Sequence, residues 1–215
     1  MIKIENVVCP SEQQWEAIIR GVRNPFNSHD KSDSEWVAYP TYGKVFDIGK
    51  KDLTLMNRLA NAGDDHGKFM RMLPVIADVT APHFWWPELD QYRIGVVTNS
   101  CSKMHTLLQK EFTLDDFSYS DLTKKTTEQT IQRLNFLRDK YLKEDDERMK
   151  KVIWRGVLEM LPLSYNQKRT WSGNYQVLKR IYWARKDHKL QEWHDFCDWI
   201  LTLPYAKELI LGEME

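Results

Sequence analysis

The run Asn99-Ser100-Cys101-Ser102-Lys103 sets amide, hydroxyl, thiol and ammonium groups side by side, directly after Val96-Val97-Thr98. Three chemistries are open to it. A thiol can be a nucleophile where a neighbouring base lowers its pKa, and His105 stands four residues beyond Cys101. The flanking residues match no familiar Cys/His layout. Backbone N–H groups and hydroxyls in a turn can instead cradle a phosphate. The third reading is a plain turn, because Ser and Asn serve turns well.

A second set lies near the C-terminus. Arg180, Arg185, Lys186, His188 and Lys189 interleave with Tyr182 and Trp183. Cations beside rings can hold an anionic planar ligand by ion pairing and stacking. A solvated basic face explains the same residues equally well.

Other chemistries lack their residues. No GxGxxG, GxxxxGK[ST], GxSxG or HExxH pattern occurs. Cys9, Cys101 and Cys197 are far apart, with no CxxC or Cys/His cluster, so a zinc site is not expected. Free thiols fit a cytoplasmic protein. Lys+Arg and Asp+Glu both number 31, a balance that argues against a broad nucleic-acid face and permits oligomers. The opening MIKIENVVCP has no apolar leader core, and no eighteen-residue apolar run follows. Neither secretion nor a membrane span is expected.

The 215 residues, 42% hydrophobic and 29% charged, suit one globular domain over 1–215. Nine Trp, nine Tyr and eight Phe predict an aromatic core, with some rings available to a pocket or a subunit contact.

The elements that position these residues follow from patterning. MIKIENVV alternates and predicts a strand. Ser11 caps an amphipathic helix that stops at Asn24-Pro25. Residues 25–45, rich in Ser, Asp, Pro and Gly, predict a long loop. KKDLTLMNRLANAG predicts a helix with Asp52 in its first turn and Gly63 as its stop. MLPVIADVTA predicts a buried strand. TAPHFWWPELDQYR predicts a strand-to-helix junction, with Thr80 as cap and Pro82 in the first turn. Pro87 then requires a late start or a kink. Residues 113–162 predict two long helices, with KEDDERMKK as a solvated face. Residues 171–210 predict two or three more, with Trp193, Phe196, Trp199 and Ile200 on one buried face. The class is α/β or α+β, a small sheet surrounded by helices.

The two regions together resemble the flavin-dependent thymidylate synthase family. Its pattern RHRxxSxNExSxR follows a strand and a helix. Here VIADVTAPHFWWPELDQYR precedes IGVVTNSCSKMH, and LTLMNRLANAG stands upstream. Downstream, Leu161-Pro162, Asn174, Arg185 and Gln191-Glu192-Trp193 occupy places similar to those of the family's closing segment. The resemblance covers roughly residues 50–110 and 158–200. It implies a small twisted, mainly antiparallel sheet surrounded by helices. It also implies FAD, a pyrimidine nucleotide, methylenetetrahydrofolate and NADPH as co-substrates, dUMP methylation to dTMP, and a homotetramer.

On this resemblance Asn99, Ser100, Ser102 and Lys103 approach the nucleotide, Glu88 stands where the family reads the pyrimidine, and Arg185 faces the pyrimidine. Ser102 and Arg185 would carry catalysis. Gln91, Tyr92, Arg93, Asn174 and Arg180 face the flavin. The departures are equally specific. Arg-His-Arg reads Gln91-Tyr92-Arg93, the loop is one residue longer, Ser100 replaces Glu, and Met104 replaces the final Arg. Each lost cation removes a charged hydrogen bond worth roughly 1–3 kcal/mol. Lys103 and Arg180 are the candidates to restore charge. Glu88 accepts hydrogen bonds where an amide also donates, which brings cytosine or a modified pyrimidine into view. The alternative is a homologue that has lost catalysis and remains a nucleotide-binding or structural oligomer.

Overall fold

The structure, a computed structural model, describes residues 2–41 and 43–214. The strands are β1 (Lys3–Val8), β2 (Glu35–Tyr39), β3 (Gly43–Asp47), β4 (Pro74–Pro82), β5 (Val97–Ser100) and β6 (Asn166–Asn174). The helices are α1 (Glu12–Arg23), α2 (Lys50–Asn61), the short α3 (Trp86–Leu89) and α4 (Lys103–Thr106), α5 (Asp121–Lys143), α6 (Glu147–Met160), α7 (Tyr175–Arg185) and α8 (Gln191–Ile200). One sheet runs in the order β1-β4-β6-β5, and β2 and β3 pair antiparallel in a second. The class is mixed helix and antiparallel sheet, as expected.

Packing groups the chain into two compact units. One holds Val79–Gln91 and Asn99–Thr170 with the chain start up to Lys3; the other holds Ile4–Asp78, Tyr92–Thr98 and Trp171–Glu215. Strands β1, β4, β5 and β6 each contribute residues to both.

In the first unit, α5 and α6 run as consecutive helices with Asp146 capping the second through Arg148 N–H at 2.8 Å. Leu107, Leu108, Phe112, Phe117, Leu134 and Val157 form its helical core, packed against Tyr165 and Trp154. Trp86 is buried, and its indole N–H reaches the carbonyls of Ala81 (3.0 Å) and Gln167 (3.2 Å).

In the second unit, Ser11 and Gln14 form a reciprocal capping box that starts α1, as predicted. Helix α2 is started from outside itself. Asp33 accepts the N–H groups of Lys51 (2.8 Å) and Asp52 (3.0 Å), which satisfies donors no helical carbonyl can reach. Gly63 ends it at φ +100°. Trp193, Phe196 and Ile200 are buried as expected, whereas Trp199 is half-buried.

Several sequence expectations change. The predicted loop at 25–45 holds two single-turn 3₁₀ segments and the β2–β3 hairpin; Tyr42 lies outside the described residues, as does Met1 of the predicted first strand. Its polar composition concealed strands whose pairing, Trp36 opposite Phe46 and Val37 opposite Val45, is made across the hairpin. Thr80 and Pro82 lie inside β4 rather than capping a helix, and the helix starts late, with Pro87 in its first turn where a missing N–H costs nothing. Residues 97–100 are a strand, not a turn. Trp171-Ser172-Gly173 belong to β6 rather than a helix.

Candidate functional site

In the first unit, Asn99 and Ser100, the last residues of β5, lead into the polar loop. Cys101 N–H donates to Lys168 O at 3.0 Å, and Gln167 Nε2 donates to Cys101 O at 3.0 Å, so the loop is pinned beside β6. Asn99 and Ser100 are exposed. Ser102 caps α4 through its carbonyl, which accepts Thr106 N–H at 3.0 Å and Thr106 Oγ1 at 2.8 Å, and its hydroxyl makes no cap bond. The Cys101 thiol is exposed and meets Thr106 Oγ1 at 3.4 Å. The thiol therefore meets a hydroxyl rather than the predicted base His105, so it lacks the partner that would make it a nucleophile. Met104 is also exposed.

Lys103 turns to a residue that sequence reasoning missed. Its Nζ lies 3.4 Å from His83 Nδ1. The imidazole is pushed down to about 4, by burial first and then by the charges of Lys103 and Arg169. It is neutral at pH 7, and an ammonium donor on Nδ1 leaves the ring proton on Nε2. His83 Nε2 is buried without a hydrogen-bond partner. Burial and Arg169 also lower Lys103.

Arg169, on β6, was missed as well. Its Nη1 meets both Asp90 carboxylate oxygens at 3.0 and 3.1 Å, its Nε donates to Gln167 Oε1 at 3.2 Å, and its guanidinium lies 4.2 Å over the Trp86 ring. A histidine after Pro82 and an arginine inside QKRTW carry no local signal. Pairing of residues 163–165 with 83–84, through His83 N–H to Tyr165 O and Phe84 N–H to Leu163 O, brings them together. Glu88 is half-buried on α3, and Gln91 is exposed just beyond it.

The second unit gathers the rest of the predicted set. Arg185 Nε donates to Tyr92 OH at 3.1 Å, and its guanidinium sits 4.8 Å from the Trp193 ring centroid and 5.8 Å from that of Tyr92. Asn174 caps α7, its Oδ1 accepting Val177 N–H at 3.1 Å. A Cβ on Gly95, whose φ is +73°, would stand 2.6 Å from Asn174 Nδ2. Arg93 is exposed near that turn.

Arg180 points elsewhere, into a cleft of about 320 Å³ lined by Asn61, Gly63, Asp64, Gly67, Lys179 and Trp183. It binds Asp64 at 2.6 Å. A hydrogen bond to Gln176 and the Arg180 charge hold the Asp64 carboxyl below its ordinary value. An apolar cavity of about 480 Å³, lined by Val22, Phe26, Leu59, His66, Lys68 and Phe69, opens from the same 3₁₀ segment, Gly67–Met72. The basic cluster predicted on one face therefore divides: Arg180 joins the cleft, Arg185 joins Tyr92 and Trp193, and Lys186 pairs with Asp187 at 2.7 Å.

The fold, mixed helix and antiparallel sheet, matches that of flavin-dependent thymidylate synthases. Solved structures similar to this chain include thymidylate synthase X from Helicobacter pylori with FAD and dUMP, at TM-score 0.70 and 18% identity over 97% of each chain, and the flavin-dependent enzyme of the same organism complexed with FAD and dUMP, at TM-score 0.70 and 18% identity over 98% of this chain and 100% of that one. No family model and no curated protein sequence matches the chain. Among the described residues, no helix is long and apolar enough to cross a membrane.

Proposed function

We propose that this protein is a divergent flavin-dependent thymidylate synthase-like protein that binds a pyrimidine deoxynucleotide and FAD. The observation that carries the reading is Arg185. The arginine that resemblance assigns to the pyrimidine is held by a hydroxyl and a ring, Tyr92 and Trp193. A guanidinium fixed in this way loses little freedom when it meets a ligand. Asn99, Ser100, Ser102 and Lys103 take the nucleotide's phosphate end, and Glu88 the base edge.

For FAD, the second unit offers suitable residue types. The cleft and the apolar cavity share one backbone segment, glycines 63 and 67 keep bulk out, and Trp183 and Phe26 supply flat surfaces. Lys68, Arg71, Lys179 and Arg180 supply the charge a diphosphate needs. These residues would hold the cofactor, with Gln91, Tyr92, Arg93 and Asn174 in the roles the resemblance gives them. When bound and reduced, a flavin supplies hydride. Methylenetetrahydrofolate as one-carbon donor, NADPH as reductant, dUMP methylation, a homotetramer and a cytoplasmic location complete the proposal.

A second reading, nucleotide binding without flavin chemistry, is favoured by one contact. Arg180 is already spent on Asp64 inside the cleft, and Gln91-Tyr92 stand where the family has Arg-His.

The deciding experiment is the visible spectrum of the purified protein, followed by thermal shift with dUMP and dCMP. Flavin bands near one per chain, or uptake of added FAD, are expected. Colourless protein that takes up no FAD sinks the flavin claim. Stabilisation by either nucleotide would then leave the second reading standing, since a ligand that binds only the native state raises its stability. Sedimentation analysis tests the tetramer.

A further inference from the structure

Lys103 is a half-buried ammonium whose hydrogen-bond partner is a neutral imidazole rather than a carboxylate. The charge that acts on it from a neighbour is another cation, Arg169. Taking a cation out of water without a counter-ion is costly, and such sites persist where an anion completes them. Arg169 has capacity left. Its Nε serves Gln167 and its Nη1 serves Asp90, while its Nη2 makes no hydrogen bond among the described residues. Asp90 is itself 44% exposed, so its pairing with Arg169 is screened by water and does not cancel the arginine's field.

We propose that Lys103 and Arg169 form a phosphate-monoester site, with His83 as the residue that positions Lys103. The inference rests on the nucleotide reading above and deepens it. Resemblance assigns neither Arg169 nor His83 any role, and Met104, where the family has arginine, is exposed and apolar. The charge lost at Met104 is supplied here by two cations from different elements, α4 and β6. Trp86 fixes the plane of one, and the Nδ1 lone pair of His83 holds the other in place.

A dianionic phosphate would draw Lys103 Nζ from Nδ1 and accept from Arg169 Nη2, giving two charge-assisted bonds. His83 touches no ligand in this scheme. The titratable groups around it are Lys103 and Arg169, with Tyr165 stacked at 5.6 Å and pushed up to about 12. With its own value pushed down to about 4, His83 is a neutral acceptor above about pH 5.

The chemistry is shared by a nucleotide's phosphate and by free inorganic phosphate, so the test has an arm for each. Calorimetry compares dUMP, deoxyuridine and inorganic phosphate on wild type, K103M, R169M and K103R. The expected result is that phosphate competes with dUMP, and that K103M and R169M each weaken dUMP roughly tenfold or more. Deoxyuridine binding should be unchanged and K103R should retain most of the affinity. H83F should weaken dUMP less than K103M does, and H83N, whose amide oxygen can still accept from Lys103 Nζ, should bind dUMP as wild type does. K103M and R169M proteins that melt normally and keep wild-type dUMP affinity would overturn the site while leaving the nucleotide reading intact. If dUMP fails to bind wild type, that reading fails first, and the phosphate arm decides this one. A phosphate-induced rise in melting temperature lost in K103M supports the anion site, and no rise in wild type refutes it.

Discussion

Asp52 Oδ1 accepts from Arg23 Nε at 2.6 Å and lies 2.6 Å from its Nη2, which donates to Lys31 O at 3.2 Å, while Oδ2 accepts from the Ser32 and Ser34 hydroxyls, each at 2.6 Å. Both charged side chains are more than nine-tenths buried. The cluster ties the end of α1 and the segment before β2 to the first turn of α2. Burial alone would raise the Asp52 pKa, but the bonds from Ser32, Ser34 and Arg23 outweigh it and the carboxyl is held below its ordinary value. A depressed carboxyl stabilises the fold above its unfolded value, near 4, and that stability is lost as pH falls through the folded value. Removing one partner of a buried pair costs about 3–5 kcal/mol. R23M should therefore lose that much in urea unfolding at pH 7. D52N, which leaves the buried Arg23 charge without its partner, should lose a similar amount and should flatten the acid limb below pH 4.

His83 governs a higher pH window. Its folded pKa of about 4 lies below the unfolded value of about 6.5. Between these values the unfolded chain binds a proton that the native one refuses, so stability falls as pH drops from 6.5 to 4 and levels off below. Melting temperatures of wild type should decline across that window, and those of H83F should not. A carbon-resolved proton NMR titration of His83 with a midpoint near 6.5 would contradict the burial argument.

Gly95 and Gly43 separate two effects. Both have positive φ, +73° and +79°, but a Cβ at Gly43 meets nothing within 4 Å while one at Gly95 meets Asn174 Nδ2 at 2.6 Å. Gly43→Ala should cost about 1 kcal/mol, the backbone strain alone. Gly95→Ala should cost more, by about 1 kcal/mol, because the Asn174 amide that caps α7 must shift. Equal losses in denaturant titration would mean that the contact is relieved without loss of the cap.

Arg185→Lys tests the ring-held guanidinium. Lysine keeps the charge but not the plane or the Nε–H that reaches Tyr92. Folding stability should change by less than about 1 kcal/mol, as is usual for a partly exposed position, while nucleotide affinity falls roughly tenfold. Wild-type affinity in R185K would remove Arg185 from the site.

Much of this protein was legible in the sequence because the signals were local. The capping box at Ser11, the apolar stripes of α1, α2, α5 and α6, Gly63 as a stop and the late start of α3 at Pro87 all act within a turn or two of themselves. The loop at Asn99–Lys103 and Arg185 stood out by residue type. What stayed hidden depended on partners far along the chain. Strands β2 and β3 are short apolar runs set among Ser, Asp, Pro and Gly, β6 is largely polar, and their hydrogen bonds are satisfied only across a sheet. Asp33 caps a helix that begins seventeen residues later, and Asp52 draws on Arg23 and two serines from other segments. His83 and Arg169, eighty-six positions apart, are joined by strand pairing alone. Sequence by itself determined which helices form and which side chains could bear charge. Tertiary structure decided which charges are buried, paired or left to meet a ligand, because those outcomes depend on what burial places within a few ångströms of each group.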